Sequence, residues 1–436
     1  LNAFKGLGAS YAIYKQLIID PNISTFCTAT DGNHGRAVAW SAARNNKKSV
    51  IYVPKDTSDQ RIQNLTAIAS RVYKTDLNYE GNKSIEKWKR YNGKNFETFQ
   101  MDLYLGKKTN LLGLKSDIVQ NIKEKVKYYR ESRRALYSGK KIYVDKCPVT
   151  KCDTDTAKVI ANIYGAEYVQ SPITGHVYVK DRPAESQIND FYLNNVTYAA
   201  TYTNKSAAEN RLNSIAIPWL EWVVKVYEKY YDRKPIKILD VGSGAGHFVE
   251  ACRRYGLEAE GIELSDSSRK FSKEVWGIDL LGDDFTQVTE KFSDYDVVTF
   301  WGLLEHTPNP AKILDAANKV LGSEGMVISK LPRWLSLASA AQRLNPESII
   351  RHIDPMGHIM LFTDASAAEL YYRTNFKPIA AWYYGMDIYE LLMQVGNSTG
   401  YYDAFLKSGE LQIELQQFVD EQRFSDGLTI VGIPNH

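Results

Sequence analysis

Several things that would decide the class of this chain at once are missing from it. No apolar run in its 436 residues approaches the roughly 18 that suggest a membrane-spanning helix, so no membrane role is expected. Cysteine is scarce. Cys27, Cys147, Cys152 and Cys252 are too few and too scattered for a disulfide framework, and a reducing, cytoplasmic setting is expected. Neither sign of charge is in excess. With 54 basic and 51 acidic side chains the net charge is +3, which gives no electrostatic footprint for a nucleic-acid partner. There is no basic segment leading into an apolar core and a small-residue cleavage site, so secretion has no support. Methionine is absent from position 1. Leu1 stands inside what reads as a motif, and the natural N-terminus is expected to lie upstream.

What remains is ordinary for a globular protein: 44% apolar and 24% charged residues, enough chain for roughly two to four domains. Residues 1–96 alternate helical and strand-like patterns. Residues 97–140 are rich in Lys, Asn, Tyr and Glu and read as a charged helical connector. A compact strand-rich module at 141–195 has turns at KCPVT and SPITG. A second alternating block covers 196–335, and a helical, aromatic region covers 336–436.

The clearest chemistry lies in KPIKILDVGSGAGHFVEACRRYGLEAEGIELS. A buried-type strand runs into Asp240-Val-Gly242-Ser-Gly244-Ala-Gly246 and then a helix. Glycines there let a ligand approach the backbone, and the helix start offers free N–H groups. A dinucleotide fold would need glycine at 247, where His247 stands. An acidic residue two before G-x-G-x-G instead resembles the first motif of class I S-adenosylmethionine-dependent methyltransferases. That resemblance implies a doubly wound, Rossmann-like α/β sheet with S-adenosylmethionine over its first strand ends. It assigns Glu263 to the ribose hydroxyls, Asp284 (or Asp283) to the adenine amino group and Phe285 to covering the ring. Glu305 and His306, in Leu-Glu-His at the end of the fourth strand, complete the set; Glu305 faces the cofactor and His306 is the candidate general base. His247 and Ser243 are expected to be loop residues.

Cys147-Pro-Val-Thr-Lys-Cys152 and SPITGHVYVKDRP resemble the zinc-ribbon module of methyltransferases acting on sugars and related metabolites. Four soft ligands are needed to close such a site. Here the first knuckle reads as C-x4-C, Ser171 and Thr174 replace the second pair, and His176 is the third candidate, so a degenerate ribbon without metal is expected. In the tail, His358 begins a His-x-x-x-Phe-Thr that resembles the same broad family; it either faces the acceptor or is a buried structural histidine, the latter being the expectation. The tyrosines of AWYYGMDIYELL and STGYYDAF are candidate acceptor-pocket walls.

Residues 1–96 resemble something else. Ala3-Phe4-Lys5-Gly6 and TATDGNHGRAVAW are similar to fold-type II pyridoxal-phosphate enzymes, particularly diaminopropionate ammonia-lyase and threonine synthase-like relatives. The resemblance implies a Schiff base at Lys5 and a cofactor contact at Asn33. The phosphate-cradling loop of that family has no counterpart here, so a truncated, vestigial αβ fragment is expected.

The resulting expectation is methyl transfer from S-adenosylmethionine to a small-molecule acceptor such as a sugar or nucleotide-sugar, with no nucleic-acid, membrane or metal partner. Two other readings stay open: a pyridoxal-phosphate ammonia-lyase carrying a methyltransferase passenger, and a non-catalytic cofactor-binding module.

Overall fold

The computed structural model describes residues 12–18, 20–29, 33–53, 57–74, 85–91, 95–107, 122–184, 186–187, 205–402 and 409–435. It divides into two compact units, Leu1–Glu86 and Lys87–His436.

In the first unit β1 (Thr25–Ala29), α1 (Asn33–Arg44), β2 (Lys48–Val53), α2 (Asp59–Thr66) and β3 (Arg71–Lys74) follow one another. The strands pair in parallel in the order β1-β2-β3, as helical crossovers require. The core is small: Ile13, Ala37, Val38, Ala39, Ala42, Ile51, Val53 and Leu65.

β4 (Ile85–Tyr91) and β5 (Phe96–Leu105) open the second unit, followed by α3 (Ile122–Ser138). The sequence expectation put 1–96 in the N-terminal fragment and 97–140 in a helical connector. Instead, β4 and β5 join the large sheet, and their Trp88 and Met101 are buried in its core. Next come β6 (Lys141–Tyr143), β7 (Lys158–Ile163), β8 (Ala166–Gln170), β9 (Val177–Val179) and β10 (Asp181–Pro183). β7, β8 and β9 form an antiparallel sheet.

The αβ block contains α4 (Ile217–Tyr231), β11 (Lys237–Val241), α5 (His247–Arg254), β12 (Glu258–Ile262) and α6 (Asp266–Trp276). β13 (Tyr295–Trp301), α7 (Pro310–Val320), β14 (Leu321–Pro332) and α8 (Leu337–Leu344) follow. The chain then passes through β15 (Met360–Leu361), which adds to β9, and α9 (Asp364–Arg373). β16 (Phe376–Tyr383), α10 (Asp387–Thr399), α11 (Gly409–Glu421) and β17 (Gly427–Pro434) complete it.

The large sheet has the order β12-β11-β13-β14-β17-β16-β5-β4. β12, β11, β13 and β14 are parallel, and β17 runs antiparallel between β14 and β16. β11 and β13 are buried almost throughout, as strands covered on both faces must be. Before Asp283 and Asp284 the chain touches the edge of this sheet through one parallel bridge, Ile262 to Leu281. The strand order reverses at β11, so the crevice for a ligand opens at the carboxyl ends of β11 and β13.

Candidate active site

At the end of β11 the chain turns through Gly242, Gly244 and Gly246, all with positive φ. A Cβ on Gly246 would strike the Ser272 hydroxyl, so that glycine is fixed by packing. Gly244 differs. A Cβ there would meet nothing within 4 Å, so its backbone faces open space. The Gly244 N–H donates to Glu263 Oε2 at 2.8 Å and the Ser265 N–H to Oε1 at 2.7 Å. These bonds hold the carboxylate at the end of β12, beside the loop. Burial raises the Glu263 pKa, opposed by those backbone donors. Asp240 is buried and accepts from the Thr299 hydroxyl at 2.7 Å; burial pushes its pKa up to about 7.

Ser243 and His247 are loop and packing residues, as expected. The Ser243 hydroxyl donates to the Asp240 carbonyl at 2.6 Å, and the His247 ring packs on Phe271 and Trp276.

The acidic segment after the bridge is arranged less as expected. Asp284 is exposed and caps a short turn, accepting from the Thr286 N–H at 2.9 Å. Asp283 pairs with Lys291 at 3.0 Å. Phe285 is a core side chain, among Phe292 and Phe300, and is committed to packing rather than to covering a ligand ring.

Glu305 and His306 lie in the short turn after β13, next to the loop: a Cβ on Gly242 would touch Leu303 at 3.3 Å. Glu305 is buried, and its closest charged partners are not at the glycine loop. Its Oε1 lies 3.8 Å from His306 Nε2 and 3.9 Å from His358 Nε2. Its Oε2 is buried without a hydrogen-bond partner. Glu305, expected to face the cofactor, thus also stands in a histidine cluster. His358, expected to be structural, is part of that cluster; its ring centroid is 5.1 Å from that of His306.

The loop carrying His358 is held by modules that sequence reading treated as flanks. Arg133 of α3 grips Asp354 through two bonds of 2.9 and 2.8 Å, and the Tyr137 hydroxyl donates to the Pro355 carbonyl at 2.7 Å. Tyr168 of β8 donates to the His358 carbonyl at 2.9 Å, and the Ile359 N–H donates to the Glu305 carbonyl at 3.1 Å.

Two lysines overlooked in the sequence share this end of the sheet. Lys330, paired with Trp301 in register, is half-buried, and its pKa is lowered mainly by desolvation, against the pull of Glu305 and Asp426. Lys107, just beyond β5, is lowered to about 7 by desolvation and by Lys330. Its ammonium lies 5.4 Å from the Trp219 ring centre and 5.7 Å from that of Tyr384. Trp219 stacks on Trp301 at 4.2 Å. A lysine inside the apolar run VISKLP was the readable signal for Lys330; nothing local marked Lys107. Among the tyrosines expected to line a pocket, Tyr383 and Tyr389 are buried, while Tyr401 is exposed.

In the small module the two turns match. The Lys151 N–H bonds back to the Cys147 carbonyl at 3.0 Å, and the Gly175 N–H to the Ser171 carbonyl at 3.0 Å. These matching turns put Thr150 and Thr174 in equivalent places, so the first knuckle is Cys147-x-x-Thr150 and not a stretched C-x4-C. Thr150, Cys152 and Ser171 are linked by contacts of 3.1 to 3.4 Å. His176 turns away to Ser366. In the first unit, Lys5 lies outside the described residues, and Asn33 is the first residue of α1.

Comparison with known proteins finds two kinds of sequence in the chain, the first extending past Glu86 into the second unit. Residues 218–381 match the family model described as a methyltransferase domain, and residues 1–128 match that of pyridoxal-phosphate dependent enzymes. Diaminopropionate ammonia-lyase of Salmonella typhimurium is 42% identical over 101 residues, covering 18% of this chain and 25% of that protein. Ubiquinone biosynthesis O-methyltransferase of Leptothrix cholodnii is 28% identical over 171 residues, covering 37% of this chain and 64% of that protein. The plantazolicin methyltransferase BpumL, solved with SAH, aligns over 57% of this chain and 94% of its own, at 15% identity and a TM-score of 0.38. The chain thus spans a quarter of the lyase and under two thirds of the O-methyltransferase. It carries a methyltransferase domain behind a segment of pyridoxal-phosphate-enzyme sequence.

Proposed function

We propose that the second unit transfers a methyl group from S-adenosylmethionine to a hydroxyl of a small molecule. The observation that carries this reading is the pairing of Gly244 with Glu263. An open backbone surface and a carboxylate fixed by two N–H donors stand side by side at the strand ends. They fit the cofactor: no side chain fills the space above Gly244, and each Glu263 oxygen keeps a lone pair for a ribose hydroxyl. When bound, S-adenosylmethionine supplies a methyl group on a positively charged sulfur.

The chain's own residues do the rest. The 242–246 turn receives the cofactor, and Glu263 orients its ribose. The Glu305–His306–His358 cluster, adjoining the loop through Leu303, deals with the acceptor's proton. In His306 the Nδ1 atom is engaged by the Gly357 carbonyl at 2.6 Å, which leaves Nε2 to face Glu305 and the reacting group. Alignment of the two reactants supplies much of the acceleration, up to roughly 7–11 kcal/mol in well-oriented systems. The hydroxyl acceptor is favoured by the kinship with O-methyltransferases. A nucleotide-sugar is one such acceptor, whose phosphates would give Lys107 and Lys330 a counter-charge against the desolvation that lowers their pKa values.

The test is calorimetric titration with S-adenosylhomocysteine (SAH), followed by transfer of labelled methyl to a panel of hydroxylated metabolites. Binding without transfer to any of them would favour a cofactor-binding module; no binding would end the reading.

A further inference from the structure

We propose that Glu305, His306 and His358 bind a divalent metal ion. Sequence reading expected no metal because the ribbon lacks its ligands, and nothing in the sequence links His358 to His306, 52 residues before it. The fold brings them together. One ligand atom from each can be chosen so that all lie within 4.8 Å of one another. Atoms bound at about 2.1 Å to one ion lie at most roughly 4.2 Å apart. Both carboxylate-to-imidazole distances, 3.8 and 3.9 Å, already meet that limit.

The hydrogen bonds around the cluster point the same way. His306 Nδ1 lies 2.6 Å from the Gly357 carbonyl and His358 Nδ1 lies 2.6 Å from the His352 carbonyl. A carbonyl only accepts, so each Nδ1 carries the proton and each Nε2 presents its lone pair toward Glu305. This is the outer-shell arrangement that orients histidine ligands. Glu305 Oε2, buried and without a partner, is the polar atom such an ion would satisfy. Ion-pair-range partners of Glu305 among the described residues are these two histidines, and Lys330 forms no such pair with it. Two imidazoles and one carboxylate suit zinc, manganese, iron or cobalt better than magnesium or calcium. Three protein ligands leave positions open for an acceptor oxygen.

The role of the ion rests on the methyl-transfer reading; its binding does not. A Lewis acid here eases loss of the acceptor's hydroxyl proton to solvent. The acceptor oxygen then bonds the methyl carbon as the carbon–sulfur bond breaks, its electron pair staying on sulfur. His306 is in that case a ligand and not the base.

Metal-stripped full chain titrated with zinc chloride should take up one ion. Glu305→Gln, His306→Gln and His358→Gln should each weaken it by at least the roughly 10–100-fold that loss of an outer-shell partner costs. SAH affinity, unchanged in the variants, shows that they are folded. Cobalt(II) loading should give ligand-field bands without thiolate charge transfer, which separates this site from Cys147 and Cys152. No uptake by protein that binds SAH, or uptake indifferent to all three substitutions, overturns the site. One ion held through these residues by a chain that does not bind SAH supports the site and sinks the cofactor reading instead.

Discussion

In the first unit β1 is followed by α1 after a short glycine-containing stretch; in the second β11 leads into α5 through Gly242, Gly244 and Gly246. Both place a helix directly after a strand of a parallel sheet. What gathers around the turn is different. Buried polar side chains among the described residues of the first unit are Ser41, Ser49 and Thr57, none of which titrates near neutral pH. In the second, Asp240, Glu263, Glu305, His306, Lys330 and His358 meet at one sheet edge, delivered by segments over 100 residues apart. A glycine turn makes room for a ligand, but the later strands and loops supply the chemistry. Among its described residues the first unit gathers no comparable set of titratable side chains.

The hardest test of that contrast cuts between the units. Removal of residues 1–84 is expected to leave SAH binding in place. Removal of 1–106 should abolish it, because β4 and β5 leave the sheet and the core loses Trp88 and Met101. Soluble yield, thermal melts and SAH titration of the two truncations check this; equal behaviour would separate β4 and β5 from the domain.

Next in size is His306→Ala, expected to lower turnover by roughly 10²–10⁴-fold, whether His306 takes the acceptor's proton itself or holds the ion that eases its loss. SAH affinity should hold. Labelled-methyl transfer at wild-type rate would return His306 to a structural role.

Asp240 gives a smaller, pH-dependent effect. Its carboxyl titrates at about 7 when folded against 3.8 unfolded. Between those values the folded state holds the extra proton, so stability falls as pH rises from about 4 to 7 and then levels. The full effect is at most about 4 kcal/mol at 1.36 kcal/mol per unit. Urea titrations at several pH values should show a shallower decline in Asp240→Asn; an unchanged slope would mean that Asp240 ionises normally.

Glu263→Ala should weaken SAH by about 1.5–3 kcal/mol, the range for hydrogen bonds to a charged group. Gly244→Val should weaken it more. Its φ of +54 strains a β-branched residue, and the side chain would enter the ligand's space. Unchanged calorimetric affinity in both would remove the loop from the cofactor site.

How legible all this was depended on distance along the chain. The glycine turn, Asp240 and Glu263 were readable because one strand-turn-helix-strand unit contains them, and local patterning reports such units directly. Phe285 was misplaced because an apolar residue beside an acidic one looks the same whether it faces a ligand or the core. Periodicity in 85–105 was hidden by its Lys, Asn and Tyr content, since β4 is the edge strand and β5 beside it is only partly covered. The pairing of His306 with His358 was not readable from spacing. It exists because Arg133 and Tyr168, each from a different module, pin the intervening loop.

The smallest expected effect concerns Lys5. The matched lyase shares only a quarter of its length with this chain. A bound pyridoxal phosphate needs a cluster of N–H donors for its phosphate dianion, and helix starts or nests of backbone amides supply them. In fold-type II enzymes that loop lies far downstream of the lysine. Here the match to that family ends at residue 128, and the sequence from 218 to 381 matches a methyltransferase domain instead. A Schiff base at Lys5 would have no anchor at the cofactor's other end and would hydrolyse readily. Incubation with pyridoxal phosphate is therefore expected to leave no stable internal-aldimine absorbance, and Lys5→Ala to change neither the spectrum nor methyl transfer. An absorbance band that survives dialysis in the wild type and vanishes in Lys5→Ala would erase the contrast between the two units.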